Sequence, residues 1–150
     1  MIRLSRLADY GIVIATHLAR HPEQQTASDV AMATAVPQPM TSKILKLLTR
    51  ADVLISHRGV QGGYSLARPA ASVSVAEVVE ALDGPIAITT CTEPVPGDCS
   101  ILNVCPARAN WERINRAIRK SLGEVSLDEM AHSIPAAFMT PGEHLTAVRQ

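Results

Sequence analysis

The order of elements between residues 26 and 66 limits the choice of folds more than any other part of this 150-residue sequence. Thr26 is a predicted N-cap, with Asp29 at the capping-box position, for a short helix over 27–34. A Pro-rich turn follows, and Pro39 suits the first turn of a second helix. The polar face of that helix contains Gln38, Thr41, Ser42, Lys43, Lys46 and Arg50, and its apolar face contains Met40, Ile44, Leu47, Leu48 and Ala51. This order is typical of a helix-turn-helix, although an ordinary amphipathic helix with a solvated face shows the same periodicity.

A predicted β-hairpin follows the second helix directly. Residues 53–58 and 64–66 are β-prone, and the turn between them is rich in glycine. A hairpin in this position is the wing of a winged helix, and its base carries residues that could contact phosphate or enter the minor groove. The residues predicted to meet DNA are Gln38, Pro39, Thr41, Ser42, Lys43, Lys46, His57, Arg58, Gly59 and Gln61.

The charge of the chain is balanced overall but unevenly distributed. Residues 1–68 hold eight Lys/Arg and four Asp/Glu, whereas residues 69–150 hold six and ten. A basic half suggests contact with a polyanion such as nucleic acid. The first residues interrupt their apolar positions with charge too often for a signal peptide, and no apolar run approaches the roughly 18–20 residues that span a bilayer. We therefore expect a cytoplasmic protein with no membrane partner.

All three cysteines lie within one fifteen-residue stretch, at Cys91, Cys99 and Cys105. Two prolines and a glycine between them predict a loop. Thiolates are soft ligands that select zinc, copper(I) or iron–sulfur clusters. A structural disulfide with one thiol left over is the alternative, but nothing else in the sequence indicates a secreted, disulfide-rich protein. The pattern therefore favours a metal or cluster site with one ligand still to be supplied.

The remaining periodic stretches predict three further helices. The first covers about residues 5–20 and has a wide apolar belt, which suggests contact with more than one neighbour, and Asp9 lies within it as either a surface acid or a buried partner. A helix over 73–82 has Ser74 and Glu77 as its capping pair. In the last long helix, from Pro106, apolar residues at close to heptad spacing form one seam: Trp111, Ile114, Ile118, Leu122 and Val125. Such a seam predicts a dimerisation helix, with packing on its own domain as the alternative.

These predictions define a mainly α fold with a small β-hairpin: a winged helix-turn-helix followed by a long C-terminal dimerisation helix. The predicted units are a DNA-binding domain over 1–84, a cysteine loop over 85–105, the dimerisation helix and a short terminal helix over 106–131, and a tail over 132–150. The short terminal helix begins at a predicted capping box, Ser126 with Glu129.

Over about residues 1–131 the sequence resembles the family of bacterial iron–sulfur transcription regulators that includes IscR and NsrR. The matching stretches are Leu7-Ala-Asp9-Tyr10, Ser42-Lys43-Ile-Leu-Lys46-Leu-Leu48, Ser56-His-Arg58-Gly59, Gly62-Gly63-Tyr64-Ser-Leu66-Ala-Arg68 and Glu80-Ala-Leu82, followed by the cysteine loop. The resemblance implies a homodimer that binds double-stranded operator DNA and no small-molecule substrate. Gly84-Pro-Ile-Ala-Ile88, Cys105-Pro106 and Asn110-Trp111 resemble most the branch that regulates the SUF cluster-assembly operon.

The same resemblance implies an iron–sulfur cluster with Cys91, Cys99 and Cys105 as ligands. IscR-like members add a histidine three residues after the last cysteine, where this chain has Arg108. NsrR-like members add an aspartate from the first helix of the partner subunit, and Asp9 stands at that place. A 2Fe–2S cluster is favoured over a 4Fe–4S cluster. Other carboxylates that could serve instead are Glu93, Asp98 and Glu112.

The function expected from these features is transcription regulation that depends on cluster status, with SUF-type assembly genes as targets. A nitric-oxide or redox sensor of the same fold, and a zinc or thiol switch without a cluster, are the alternatives. An enzyme or electron carrier is disfavoured because the sequence has no nucleophile with an acid–base pair, and residues 59–63 match neither a P-loop nor a dinucleotide fingerprint.

Overall fold

The computed structural model of the protein describes residues 3–59, 62–95 and 99–132. Within these ranges the chain forms six α-helices and one antiparallel pair of strands. In chain order they are α1 (Arg6–Arg20), α2 (Ala27–Thr34), α3 (Gln38–Arg50), β1 (Leu54–His57), β2 (Gly63–Leu66), α4 (Val75–Asp83), α5 (Arg108–Gly123) and α6 (Leu127–His132). Short 3-10 turns occupy 70–72 and 90–92.

The starts of α2, α4 and α6 are set by side-chain caps that the sequence predicted. The Thr26 hydroxyl accepts the Asp29 N–H at 3.2 Å, and the Asp29 carboxylate accepts the Thr26 N–H at 3.1 Å. The Ser126 and Glu129 pair at the start of α6 does the same. At α4, Ser74 is the cap, so the helix begins at Val75, two residues later than predicted. The delay arises because the Val73 carbonyl accepts the Leu127 N–H, which keeps this residue extended.

One aliphatic core unites the helices. Ile14 and Leu18 of α1, Ile44 of α3, Val78 of α4 and Leu127 of α6 are all completely buried in it. By this packing α6 is attached to the core of the winged helix and to α1. None of the helices in the described ranges combines the length and apolar character that crossing a membrane requires.

The buried face of α3 differs from the predicted one. Leu45 is completely buried, Leu47 is only half-buried, and Ala51 is exposed. The helix packs against α1, α2, α4 and β1, so its buried arc is wider than a single 3–4 stripe and is turned toward Leu45. Tertiary packing, and not the periodicity alone, decides which side chains are covered.

Gly11 allows α1 and α4 to approach closely. A Cβ atom built at this position would lie 2.0 Å from the Cδ1 of Leu82, a distance that no packed pair of carbons can adopt. Glycine normally lowers helix stability relative to alanine. Its presence within α1 is therefore explained by the side chain of Leu82, which occupies the space a methyl group would need.

The wing is a three-part arrangement rather than an isolated hairpin. β1 and β2 pair in the register Leu54 opposite Leu66, and His57 opposite Gly63. On its other edge, β2 bonds to the segment between α1 and α2: the Gln25 N–H donates to the Tyr64 carbonyl at 3.1 Å, and the Tyr64 N–H donates to the Gln25 carbonyl at 2.8 Å. The sheet edge of the wing is thus tied to the body of the domain.

The long helix α5 is attached to the winged helix mainly at its C-terminal half. Arg119 donates two hydrogen bonds to Glu80 of α4, at 2.6 and 3.1 Å. Leu122 packs into a small second cluster with Ala8, Val75 and Val79. No residue of α5 is fully buried in the single chain. Pro106 precedes the helix by two residues, because α5 begins at Arg108.

Candidate DNA interface and cysteine segment

The polar face of α3 is available to a partner. Gln38, Pro39, Lys43 and Lys46 are exposed, and Ser42 is half-buried. They lie on successive turns of one helix, opposite the completely buried residues that attach it to the core. Two lysines and a polar first turn on a rigidly supported helix suit contact with the phosphates and base edges of a DNA groove.

Thr41 does not belong to this face, which corrects its predicted role in DNA contact. The side chain is completely buried. Its hydroxyl lies 3.2 Å from the Val36 carbonyl and 3.3 Å from the Pro37 carbonyl, both of which can accept its proton. Because a buried hydroxyl needs a hydrogen-bond acceptor and these carbonyls supply it, Thr41 has a structural role in closing the turn between α2 and α3.

At the wing, Arg58 and Gly59 are exposed at the end of β1. Gly59 has a φ of +113°, a backbone conformation that favours glycine. His57 is half-buried, and its Nε2 lies 3.0 Å from the Ser65 hydroxyl across the hairpin. The cross-strand bond gives His57 a structural partner, and Arg58 is the exposed cation among the described residues at the base of the wing. The predicted contact Gln61 lies outside the described residues.

An ion pair holds the segment that follows β2 against α4. Arg68 donates to the Glu77 carboxylate at 2.6 Å and to the Ser72 carbonyl at 3.1 Å. Burial alone would raise the pKa of Glu77, but the hydrogen bonds from Arg68 and Ser74 outweigh it and lower the pKa below its usual 4.5. Glu77 therefore serves both as the capping-box acid of α4 and as the partner of Arg68.

The cysteine segment holds three free, half-buried thiols. The Sγ of Cys91 lies 3.2 Å from the Thr89 hydroxyl. The Cys99 carbonyl accepts the Leu102 N–H at 3.1 Å, and the Cys105 carbonyl accepts the Arg108 N–H at 3.4 Å. Across residues 3–59, 62–95 and 99–132 of this one chain, no three His, Cys, Asp or Glu side chains converge as a metal site. The donor chemistry suits a soft metal or cluster, but the described part of a single chain does not assemble the ligands.

The predicted carboxylate ligands differ in their surroundings. Asp9 is exposed in the first turn of α1, beside an open groove of about 640 Å³ whose lining includes Arg3, Arg6 and Tyr10. Glu112 accepts a hydrogen bond from Arg108 at 3.0 Å, so its carboxylate already has a cationic partner. Glu93 is exposed, and Asp98 lies outside the described residues. Asp9 and Glu93 are therefore both accessible to a partner.

The predicted seam of α5 is incompletely covered in the single chain. Trp111 and Ile114 are each 39% exposed, whereas Ile118 and Leu122 are half-buried. A large aromatic and a β-branched residue on one open helix face are typical of residues that become buried at an interface. Packing on its own domain therefore covers Ile118 and Leu122 in part, whereas Trp111, Ile114 and Val125 stay exposed.

Sequence reasoning missed two residues that organise the site. Gln25 supplies the backbone partner of the wing, and Asn115 bonds the backbone at Ile86 and Ile88. Both contacts join residues far apart in the chain, and neither residue type forms a recognisable spacing pattern. In the sequence, Asn115 differs from its neighbours in α5 only in being a neutral amide between arginines, which could have marked it as a residue with a specific hydrogen-bond partner.

Comparison with known proteins agrees with this architecture. Residues 4–133 match the model of the Rrf2 family, described as an iron-dependent transcriptional regulator. The chain is 39% identical over 122 residues to an rrf2-like HTH-type transcriptional regulator of Rhodobacter capsulatus, covering 77% of this chain and 81% of that protein.

Two solved structures show the same fold. CymR, the global cysteine regulator of B. subtilis, superposes with a TM-score of 0.72 and 24% identity, covering 90% of this chain and all of that one. IscR of T. potens gives a TM-score of 0.67 and 22% identity, covering 96% of each chain. The chain is therefore a member of the Rrf2 family of winged-helix, DNA-binding transcription regulators, and it is not an enzyme.

Proposed function

We propose that this regulator is a homodimer whose affinity for double-stranded operator DNA depends on an iron–sulfur cluster bound at the cysteine segment. The observation that carries the proposal is the set of three unpaired thiols in one short segment of a DNA-binding fold. The family description as iron-dependent supports a role for iron. The SUF cluster-assembly genes are the proposed targets, because the segments around the first and last cysteines resemble the regulators of that operon.

Cys91, Cys99 and Cys105 would hold the cluster, because the iron atoms of such clusters bind cysteine thiolates. The partner subunit's Asp9 would complete the ligand set, with a 2Fe–2S cluster favoured over 4Fe–4S. This assignment is supported by the exposure of Asp9 and by the histidine position of IscR-like relatives being Arg108 here. A ligand supplied across the dimer would account for the fourth position, and binding would still have to bring the three thiols of one chain together.

The proposed dimer buries the open face of α5. In a twofold dimer, the same surface of both chains forms the interface. The Trp111 and Ile114 side chains of each chain would therefore be buried against α5 of the other. The arrangement would bring two α3 helices to the same side of the molecule for two half-sites. A tenfold change in DNA affinity between the cluster-bound and cluster-free forms needs only about 1.4 kcal/mol of coupling.

Anaerobic purification followed by visible spectra and iron, sulfide and zinc counts tests the cluster directly. We expect a coloured protein with iron and sulfide, and gel shifts that differ between the holo and apo forms. A colourless protein with stoichiometric zinc would instead establish the zinc-switch alternative. Cys91→Ala, Cys99→Ala and Cys105→Ala should each abolish stable binding, since two thiolates remain.

The fourth ligand is tested by Asp9→Ala, with Glu93→Ala as a matched control. A carboxylate is a harder and weaker partner for the cluster than a thiolate, so Asp9→Ala should leave a bound but labile cluster and equalise apo and holo DNA affinity. Glu93→Ala should behave as wild type. If the two variants exchange these behaviours, the ligand is Glu93 and the cross-subunit link is wrong.

The DNA interface is tested by Arg58→Ala and Lys46→Ala, with Arg113→Ala, an exposed cation of α5, as control. Arg58→Ala should weaken operator binding by roughly 1–3 kcal/mol and relax the preference at one base position. Lys46→Ala should weaken binding to all sequences and reduce the salt slope by about one unit. Gel shifts at several salt concentrations measure both, and unchanged affinity for both variants would remove α3 and the wing from the interface.

A further inference from the structure

A single side chain of α5 is bonded to the backbone that leads into Cys91. The Asn115 amide N–H donates to the Ile86 carbonyl at 2.9 Å, and the Ile88 N–H donates to the Asn115 Oδ1 at 3.1 Å. A carbonyl and the N–H two residues later are the groups that an adjacent β-strand would bond. The Asn115 amide therefore takes the place of a strand partner for residues 86–88.

Few side chains could make this contact. It requires a donor and an acceptor held side by side, which a carboxamide supplies and a carboxylate does not, because a carboxylate only accepts. Both backbone bonds are partly buried. A missing partner would therefore leave partly buried backbone groups without their hydrogen bonds, which costs more than losing an exposed contact.

The other end of the cysteine segment is also anchored at α5. The Cys105 carbonyl accepts the N–H of Arg108, the first residue of the helix. The 3-10 turn that contains Cys91 packs against α5, and the Ile86 side chain packs on the second apolar cluster. Residues 86–92 and the Cys105 carbonyl are thus both held at α5.

The spacing of these attachment points along the chain allows the outer cysteines, Cys91 and Cys105, to lie near each other. Asn115 lies seven residues beyond Arg108, about 10 Å along the helix axis. Cys91 follows Ile88 by three residues, which can span at most about 10 Å. A chain fixed at Asn115 can therefore return to the helix end near Cys105, whereas a chain released from Asn115 has many more positions available.

We propose that Asn115 is a positioning residue for the ligand set: it holds residues 86–88 on α5 and thereby keeps Cys91 near the end of the helix where Cys105 lies. The inference rests on the proposed function, since it assigns Asn115 to the cysteines proposed there as ligands. Asn115 touches no thiol itself in the described part of the chain. It acts by limiting the conformations from which a shared ion or cluster must be bound.

The first test uses the apo protein, so that it does not depend on any cluster. Asn115→Ala removes both bonds, Asn115→Asp keeps the acceptor but loses the donor, and Asn110→Ala is the control at an exposed amide of the same helix. Hydrogen exchange at the Ile88 amide should be about tenfold faster or more in Asn115→Ala, because two hydrogen bonds are lost. Alkylation followed by mass spectrometry should show a faster reaction of Cys91 with unchanged Cys105.

The second test is the rate at which visible absorbance is lost on exposure to air after anaerobic reconstitution. Asn115→Ala should lose it several-fold faster than wild type, with Asn115→Asp between them and apo operator binding unchanged in all variants. If Ile88 exchange and Cys91 alkylation in Asn115→Ala equal those of Asn110→Ala, the positioning role is wrong. It is also wrong if exchange accelerates but the cluster decays at the wild-type rate.

A failure of the proposed function gives a different result. In that case the wild-type protein holds no cluster under any anaerobic condition, while the apo measurements on Asn115→Ala still differ from the control. Asn115 would then be established as the residue that holds Cys91 in place, and the ligand bound by the segment would need to be reassigned.

Discussion

The winged helix and the stretch from Ile86 to Gly123 are held together in different ways. In the winged helix, α1, α3 and α4 each bury aliphatic side chains completely, and α6 returns to the same core. In the second region, α5 has no completely buried residue. Leu122 packs on the small apolar cluster, and the other attachments are polar: Asn115 to the backbone, and Arg119 to Glu80. Complete hydrophobic burial dominates the first region, whereas the second combines a small apolar contact with individual hydrogen bonds.

The difference indicates which region is expected to be stable in a single chain without a partner. A core of buried aliphatic residues gives stability that needs no partner. A helix with an exposed tryptophan and isoleucine has surface still to cover, and exposed ion pairs add little stability of their own. We therefore expect perturbations of the first region to reduce folding stability, and perturbations of the second to reduce association and ligand binding.

The largest expected effect is on association. Ile114→Asp should convert the proposed dimer to monomer, because two uncompensated carboxylates would be buried at a symmetric interface, at a cost above about 6 kcal/mol. The monomer should remain folded, since Ile114 is already 39% exposed in one chain. Light scattering measures the mass and circular dichroism the fold. Ala109→Asp, at another exposed position of α5, is the control. A dimeric Ile114→Asp would place the interface elsewhere.

In the winged helix, Ile44→Ala should reduce the free energy of unfolding by about 2–5 kcal/mol, because it leaves a cavity among completely buried neighbours. Ile114→Ala is the matched control, with the same chemical change at an exposed position, and it should have a much smaller effect when both variants are measured at a protein concentration low enough for the monomer. Urea titrations measure both. Equal losses would mean that the two regions are not distinguished by burial.

Gly11→Ala should destabilise the protein by about 1–3 kcal/mol through overpacking against Leu82. The sign of this change in unfolding free energy is informative, because a Gly-to-Ala change at an exposed helix position stabilises the helix by about 1 kcal/mol. In a Leu82→Ala background, Gly11→Ala should cost less unfolding free energy than it does in the wild type. The double variant should therefore be more stable than the sum of the two single effects predicts. Additive effects would show that the contact between α1 and α4 can relax.

The smallest expected effect concerns pH. Because the pKa of Glu77 is lowered in the folded protein, its ionised form contributes stability above its usual pKa of 4.5, and this contribution is lost as pH falls through the folded value. Glu77→Gln should therefore lose less stability than wild type on acidification from about pH 5. The difference should stay below about 1 kcal/mol because the pair is partly exposed. Thermal melts from pH 7 to pH 3 would measure it, and parallel curves would contradict the assignment.

Local signals in the sequence predicted the elements but not their burial. Capping residues and prolines placed the starts of α2 and α6 at the observed residues, and the starts of α3 and α4 within two. Periodicity missed Leu45 and placed Thr41 on the DNA-facing side, because a helix with neighbours on several sides buries more than one stripe. Whether an element is covered depends on what packs against it.

The candidate sites were predictable to different degrees. The exposed lysines of α3 and Arg58 of the wing follow from amphipathicity and from the position of the Gly-rich turn. The hydrogen bonds that join Asn115 to Ile86 and Ile88 are long-range contacts, which no spacing rule encodes. The cysteine chemistry is therefore readable from residue type, whereas the ligand geometry depends on the tertiary structure and on the proposed second subunit.

The pairing of Gln25 with Tyr64 has a mechanical consequence. Gln25 precedes α2 and β1 follows α3, and both are bonded to β2, so the helix-turn-helix is a loop of chain closed at its two ends by the same strand. In the proposed DNA complex, α3 and the wing would therefore keep a fixed separation. We expect such a domain to respond to the spacing and width of the grooves, with a mismatch accommodated more by bending of the DNA than by adjustment of the protein.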